Sequence, residues 1–423
     1  MRKEALVLIL LGLLVGLSLA QTPRVTLVWE KSIPEGVFKL ALDEQDTLLP
    51  PEVTVVTLGA IAQGPHGPYR GAQRILKIDS TGAVREIVSK RSNDPVVLSS
   101  NGRFIGVNRW VYDPDFRNLP TPYVITPSGG RITLQGECGE CEIAAIGNSG
   151  RVILGSKGLG YPGEMGQIST KRETLVFYNG QGHVVSEVPA NGEKGKKLSS
   201  DGNYLVMRQR LSESDPMAMT LKLYDSQGRM LWGKDRSVGL AEASDVSENG
   251  IVADGYLRRA VSSDSMGGVR FFNRNGLLLG DVVLGKNIVV QNVSLDPDAR
   301  YALVQSLWFS KGGWGSGPGG ESLFLLRVDT HEIVWRRDFP ERSREASKEF
   351  ESAALFRDGR YVAALIGEGG YGKGERRYVT LINLLNSEVW RADVAAQGSV
   401  YISPTGRYFL VQSDALRLYR IEQ

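Results

Sequence analysis

The sequence predicts an all-β fold: a β-propeller of four-stranded antiparallel blades, eight in number, whose first strand closes the last blade. Three observations carry that prediction. A hairpin phrase recurs through most of the chain, in which small or acidic residues, then Gly and often Arg, separate two apolar runs. A second turn phrase is interleaved with the first, so that each period holds four strands as a meander. The two ends of the chain also look like complementary pieces of one blade. A period near 50 residues built of strands is the mark of a propeller.

The first phrase stands at Ser99-Ser100-Asn101-Gly102-Arg103, Gly147-Asn148-Ser149-Gly150-Arg151, Ser199-Ser200-Asp201-Gly202-Asn203 and Ser247-Glu248-Asn249-Gly250. It returns at Asp296-Pro297-Asp298-Ala299-Arg300, Phe356-Arg357-Asp358-Gly359-Arg360 and Ser403-Pro404-Thr405-Gly406-Arg407. The glycines lie 48, 52, 48, 109 and 47 residues apart, the 109 being a double step because Ala299 stands where Gly is expected. Asx-Gly and Thr-Gly steps supply the positive φ of a tight turn, so each copy joins strands a and b of one blade.

The second phrase joins strands c and d, at Asp79-Ser80-Thr81-Gly82, Pro127-Ser128-Gly129-Gly130, Asn179-Gly180-Gln181-Gly182, Asp225-Ser226-Gln227-Gly228 and Asn273-Arg274-Asn275-Gly276. Weaker copies are Asp329-Thr330-His331-Glu332 and Asn383-Leu384-Leu385-Asn386. Alternating apolar residues precede each turn, as in Leu221-Lys222-Leu223-Tyr224. Counting third strands near Ile75, Tyr123, Leu175, Leu221, Val269, Leu323, Val379 and Leu416 gives eight blades. Seven is the alternative, because Leu48-Leu49-Pro50-Pro51 interrupts the first hairpin.

The last third strand, Leu416 to Ile421, has no fourth strand after it. Thr26-Leu27-Val28-Trp29-Glu30-Lys31 resembles the fourth strands around Trp232, Trp335 and Trp390, so the N-terminal strand is expected to complete the eighth blade. Closure removes the unpaired edges that an open ring would expose. Trp29, Trp232, Trp335 and Trp390 recur in register, which assigns them to blade-to-blade packing.

Asp225-Ser226-Gln227-Gly228-Arg229-Met230-Leu231-Trp232 resembles the repeat of quinoprotein-like (PQQ-like) propellers, where a turn Gly precedes Trp by four residues. The Ser-x-Asx-Gly-Arg hairpins are similar to those of WD40-like and YVTN-like bacterial propellers. The resemblance covers nearly all of residues 21–423 and implies a fold, not a chemistry. Quinone enzymes of that superfamily bring adjacent cysteines and a calcium-binding carboxylate set, and neither pattern stands here, so no cofactor is expected. The propeller of the outer-membrane barrel-assembly machinery is similar at the same level, but the lipoprotein cysteine it would need is missing.

Ahead of the repeats, Arg2 and Lys3 precede an apolar run from Ala5 to Leu19 that ends at the small-x-small step Ser18-Leu19-Ala20. Residues 1–20 therefore read as a secretory signal peptide, leaving 21–423 as a single propeller domain, periplasmic or extracellular. Gln21-Thr22-Pro23-Arg24 stops the run too early for a stable membrane span. The formal charge is +3, and without Arg2, Lys3 and Glu4 it becomes 3 − 2 + 1 = +2. So balanced a chain lacks the basic footprint of a nucleic-acid binder.

Cys138 and Cys141 are the only cysteines, and in an exported chain this spacing reads as a disulfide. Metal binding and a redox thiol pair are the alternatives; zinc would need two further ligands, and His66, His183 and His331 lie in separate repeats. His183 and His331 fall in c–d turns and are expected at the surface. No Ser/His/Asp order, zinc-protease motif or phosphate loop is present, so no catalytic residue is assigned.

The b–c connections are long while the a–b and c–d turns are tight throughout, which puts the elaboration on one face of the disc. Loops on a rigid scaffold are where binding concentrates. Tyr69, Arg70, Trp110, Tyr112, Tyr161, Trp308, Trp314, Tyr371, Arg376 and Arg377 fall in or beside these connections and are the candidate binding residues. Aromatic and Arg side chains are the types that anchor interfaces. The expectation is a monomeric, non-enzymatic propeller that docks a protein, peptide or envelope glycan. A glycan hydrolase or lyase with paired carboxylates at the channel mouth is the alternative.

Overall fold

The structure, a computed structural model, describes residues 23–44, 49–58, 61–64, 67–70, 73–89, 96–108, 122–135, 141–157, 174–190, 193–211, 219–236, 243–259, 265–309, 318–340, 347–356, 359–369, 376–383 and 388–422. Among these residues there is no helix. They form eight four-stranded antiparallel sheets and one small hairpin.

Strands a to d of blade 1 are Val37–Asp43, Glu52–Thr57, Arg74–Ile78 and Val84–Ser89; those of blade 2 are Val96–Leu98, Ile105–Val107, Tyr123–Ile125 and Arg131–Thr133. Blade 3 uses Cys141–Ile146, Val152–Lys157, Thr174–Asn179 and Val184–Pro189, and blade 4 Glu193–Leu198, Tyr204–Arg210, Met219–Asp225 and Met230–Arg236. Blade 5 uses Ser244–Val246, Val252–Arg259, Ser265–Phe272 and Leu278–Lys286, and blade 6 Ile288–Leu295, Tyr301–Phe309, Pro318–Arg327 and Glu332–Pro340. Blade 7 is Ser347–Leu355, Tyr361–Gly369, Arg376–Asn383 and Glu388–Val394.

Blade 8 takes Ser399–Ile402, Tyr408–Gln412 and Leu416–Glu422 from the end of the chain and Arg24–Lys31 from its start. Lys31 lies opposite Leu416 and Arg24 opposite Glu422, so the two ends seal the ring. Eight blades are thus present, and the irregular first hairpin does not reduce the count: Asp43 still faces Glu52 across it. The hairpin Ile61–Gly64 with Gly67–Arg70 is an addition within the b–c connection of blade 1.

The turns explain why the phrases recur. In strand c to d turns the first Asx side chain replaces a ladder partner: Asp225 Oδ1 accepts the N–H groups of Gln227 (2.9 Å) and Arg229 (3.0 Å). Asp79, Asn179 and Asn273 do the same. In a–b turns the leading Ser serves, with Ser199 Oγ accepting from Tyr204 N–H at 2.9 Å and Ser403 Oγ from Tyr408 N–H at 3.2 Å. Each of these turns holds one residue at positive φ, such as Gly102 (68°) and Gly228 (73°), rather than the two of a type I′ turn. Ala299 takes that role at φ 53° and His331 at φ 58°.

The core is divided by seam. Eight hydrophobic clusters each join one blade to the next. Trp29 sits at the blade 8–1 seam, Trp232 at 4–5 and Trp335 at 6–7, all three buried; Trp390, partly buried, packs at 7–8 against Phe409 and Tyr419. Each such ring lies beneath the next blade's c–d turn where that turn is described. A methyl added at Gly276 would stand 2.9 Å from Trp232 Cγ, and one at Gly82 3.1 Å from Trp29 Cγ. Blade 5 inverts the sizes. Gly280 occupies the Trp place in strand d, and the ring of His331 from the blade 6 turn lies on it, near Phe271. His331 is therefore half-buried in a seam rather than simply at the surface; His183 is exposed.

Candidate functional site

Strand a of each blade forms the wall of the central channel. One cavity there, of about 430 Å³, is bounded by Phe38, Lys39, Lys196, Lys197 and Tyr401 among others. Another, of about 390 Å³, is bounded by residues of all eight blades at the a–b end. Burial lowers the Lys39 ammonium's pKa; it donates to Val96 O at 2.9 Å. Lys196 is paired with Glu193 at 2.8 Å. Asp245 accepts Leu295 N–H at 2.8 Å, and burial raises its pKa, with Lys197 opposing.

The a–b turns are tied to one another around the channel. Asn101 N–H donates to Asn148 Oδ1 and Asn148 N–H to Ser200 O, both at 2.8 Å. The Ser200 hydroxyl donates to Glu248, and Glu248 N–H donates to Pro297 O at 3.2 Å. On the other side, Thr405 N–H donates to Glu44 at 2.9 Å, and Arg103 Nε donates to Asp43 at 2.8 Å. This chain of contacts runs from blade 8 through blade 1 to blade 6, so that face is short-looped and cross-linked. Its carboxylates are engaged structurally: Glu248 by Ser200, and buried Asp296 by Tyr301 N–H at 2.8 Å.

The opposite face carries the b–c connections, 58–73, 108–122 and 158–173 in blades 1 to 3, against 126–130 for the c–d turn of blade 2. Tyr69 and Arg70 lie in the extra hairpin, paired along the backbone with Ala62 and Ile61. Trp110, Tyr112, Tyr161, Trp314 and Tyr371 lie outside the described residues, as do Cys138 and the side chain of Cys141. Trp308 is half-buried. Its ring lies against Gly319 and Gly320 and packs on the blade 5–6 cluster, and its Nε1 is buried with no acceptor among the described residues. Arg377 is half-buried, whereas Arg376 is exposed and forked onto Asp393 at 3.0 Å. That hydrogen-bonded pair lowers the pKa of Asp393 and raises that of Arg376.

Arg376 and Asp393 belong to a device that repeats near the b–c edge. The Tyr378 hydroxyl donates to Glu368 at 2.8 Å, and Arg391 stacks over the Tyr378 ring. Burial first, then Glu368, pushes that phenol up to about 12. In blade 5, Asp281 accepts from Tyr256, Arg258 and Arg270. In blade 6, Asp338 accepts from Ser322 at 2.6 Å and Arg336 at 2.8 Å, and in blade 4 Asp235 accepts from Thr220 at 3.0 Å. The carboxylate stands three residues after Trp in blades 4, 6 and 7, a Trp-x-x-Asp period absent from the turn phrases above. Among the described residues no group of three His, Cys, Asp or Glu is placed to hold a metal ion.

The sequence matches no protein-family model and no curated protein. Among solved structures it is similar to a eukaryotic initiation factor, with TM-score 0.50 at 10% identity over 90% of this chain and 82% of that one. It is also similar to Chaetomium thermophilum Sqt1 bound to the N-terminus of the ribosomal protein L10, at 0.47 and 11% over 93% and 100%. A chain of the Mitotic Checkpoint Complex gives 0.43 and 11% over 95% and 92%. At these identities the likeness is one of fold, the β-propeller.

Proposed function

We propose that the chain is an exported binding propeller that performs no chemistry and docks a protein, peptide or envelope glycan on its b–c face. One observation carries this: the two faces are built unequally. The a–b face is closed by short turns whose polar groups satisfy one another across blades. The b–c face carries the long connections and the added hairpin. Sequence spent in loops above a rigid scaffold is what a docking surface requires. Arg376 and the residues of the candidate set at that face supply the aromatic and guanidinium groups suited to the task. Cys138 and Cys141 are taken as a disulfide formed in the oxidising compartment to which residues 1–20 would direct the chain.

The test compares residues 21–423 with a variant whose 109–121 and 159–172 connections are replaced by short Gly-Ser links. Both are used as bait in envelope extract and on a glycan array. The expected result is one saturable ligand whose binding is lost in the trimmed variant while the melting temperature holds. A ligand bound equally by both proteins would refute the assignment of the face, and turnover of a glycan would refute the absence of chemistry. Intact mass under non-reducing conditions should be two hydrogens lighter than after reduction; equal masses would remove the disulfide.

A further inference from the structure

One seam leaves the glycine of its c–d turn uncovered, whereas Gly82, Gly182, Gly228 and Gly276 are each covered by the preceding blade. In blade 4, Tyr224 pairs with Met230, and one step on Leu223 pairs with Trp232, which reaches the blade 5 seam. Blade 6 has Leu325 opposite Trp335 and blade 7 Leu381 opposite Trp390 at the same place. In blade 1, Ile78 pairs with Val84 in the same way, but the next pair is Lys77 with Arg85. The one-residue bulge that comes before Trp232 in blade 4 is displaced here to a point beyond Glu86. Cross-strand partners share a face, so two cations stand where an aliphatic and an indole stand in blades 4, 6 and 7.

The consequence is an open cleft between blades 1 and 2. A methyl placed at Gly129, the blade 2 turn glycine, would meet no described residue within 4 Å, whereas Gly82 and Gly276 are covered by tryptophans. The cleft measures about 380 Å³ and is bounded by Lys77, Arg85, Glu86, Arg103 and the apolar Ile87, Ile105 and Ile125. The buried members of the blade 1–2 cluster are all aliphatic. Lys77 is held by Glu52 at 3.3 Å and Arg103 by Asp43 at 2.8 Å. Arg85 is exposed and has no hydrogen bond or ion pair among the described residues.

We infer that this seam is a docking site for an acidic peptide whose aromatic side chain takes the place left empty beneath Gly129. The seam geometry accommodates an indole in blades 4 and 8, and here the chain supplies none. The Ile87, Ile105 and Ile125 floor offers apolar contact to a ring, and Arg85 offers a charge-assisted hydrogen bond to a flanking carboxylate. A ring over such a floor with a guanidinium at its rim is the arrangement of an interface anchor. The site lies at a c–d turn, on the face away from the b–c connections, and is independent of the docking face proposed above.

The test uses the full mature chain and a synthetic probe, acetyl-Glu-Asp-Trp-Asp-Glu-amide, titrated calorimetrically at low and at high salt. Binding is expected to weaken with salt and to be lost with an alanine in place of the probe's tryptophan. Arg85→Glu should weaken it by about tenfold or more, equivalent to about 1.4 kcal/mol, with no change in melting temperature. The double change Lys77→Leu with Arg85→Trp rebuilds the seam of blade 4; it should abolish binding and raise the melting temperature. If that variant misfolds, the exposed Arg85→Glu still decides. No binding by the wild type, equal binding by Arg85→Glu, or equal binding of the alanine probe would each overturn the inference. Trimming 109–121 and 159–172 should leave probe binding unchanged, which separates this site from the b–c face.

Discussion

Replacing Trp232 by Ala measures how much a seam is held by its indole. The ring is buried, faces Phe272 of the next blade at 5.7 Å, and sits under the Gly276 turn. A buried indole hides about 200 Å², worth about 5 kcal/mol at about 25 cal/mol per Å². Compactness of the unfolded chain removes roughly a quarter of that. Trp232 Nε1 is buried with no acceptor among the described residues, and deleting it returns about 1 kcal/mol. The net loss is about 3 kcal/mol, at the lower end for Trp→Ala in a core. About 400 residues at about 2.1 cal/mol/K each give an unfolding entropy near 0.8 kcal/mol/K, so Tm should fall by about 3.5 °C. The neighbouring Leu231 is 42% exposed, and Leu231→Ala should stay within about 0.5 kcal/mol of wild type. Calorimetric melts of the two variants side by side are the assay. A Tm change under about 1 °C for Trp232→Ala, or an equal loss for Leu231→Ala, would refute the view that strand d aromatics close the seams.

Deleting 24–31 should expose the strand Leu416–Glu422 as an unpaired edge, giving a lower Tm and oligomers on size exclusion; a monodisperse protein of unchanged Tm would contradict closure. Gly276→Ala and Gly129→Ala both place a side chain at positive φ, at a cost of about 1–2 kcal/mol. Gly276→Ala should destabilise more in urea titrations, because only it also meets Trp232; equal losses would show that the seam yields. Hydrogen bonds from Arg417, and less from Ser413, hold the Asp414 carboxyl well below the usual range. Its contribution is therefore present above the unfolded value of about 4 and fades as pH falls toward the folded value. Asp414→Asn should lower Tm at pH 7, with the gap to wild type closing below about pH 4; a gap constant down to pH 2 would exclude the pairing.

The blade count, the strand order and the closing strand were legible because backbone geometry leaves little choice at the turns. A residue held at positive φ is mostly written as Gly, and an Asx that accepts two N–H groups, or a Ser that accepts one, is written at a fixed offset before it. Even Ala299 could be placed by position, since its neighbours keep the period. The rim carboxylates were not legible. Asp235, Asp338 and Asp393 stand in a chain whose Asp residues mostly make turns, and only their spacing from Trp separates them. The exchange of sizes between Gly280 and His331 was hidden for another reason: the two residues meet across a seam while lying 51 positions apart. The cleft at Gly129 was not legible because Gly129 has the same turn phrase as the covered glycines, and only packing across the seam distinguishes it.

The blades contribute unequally to the ring. Each strand of blade 2 has three residues, whereas those of blade 6 have eight to ten. Blades 4 to 7 add the strand d carboxylates with their Arg, Tyr, Ser and Thr partners, and blade 8 adds the clasp of Arg417 onto Glu30 and Asp414. Blades 1 to 3 instead carry the longest b–c connections, and their strands d bring no indole to a seam. A closed ring lets this asymmetry persist. A blade with few ladder hydrogen bonds is still confined by neighbours on both sides, so its local opening need not open the whole. Segments that must reshape around a ligand come from the least stable part of a fold. In this chain the three-residue strands of blade 2 and the uncovered seam beside it mark the arc where local opening should cost least.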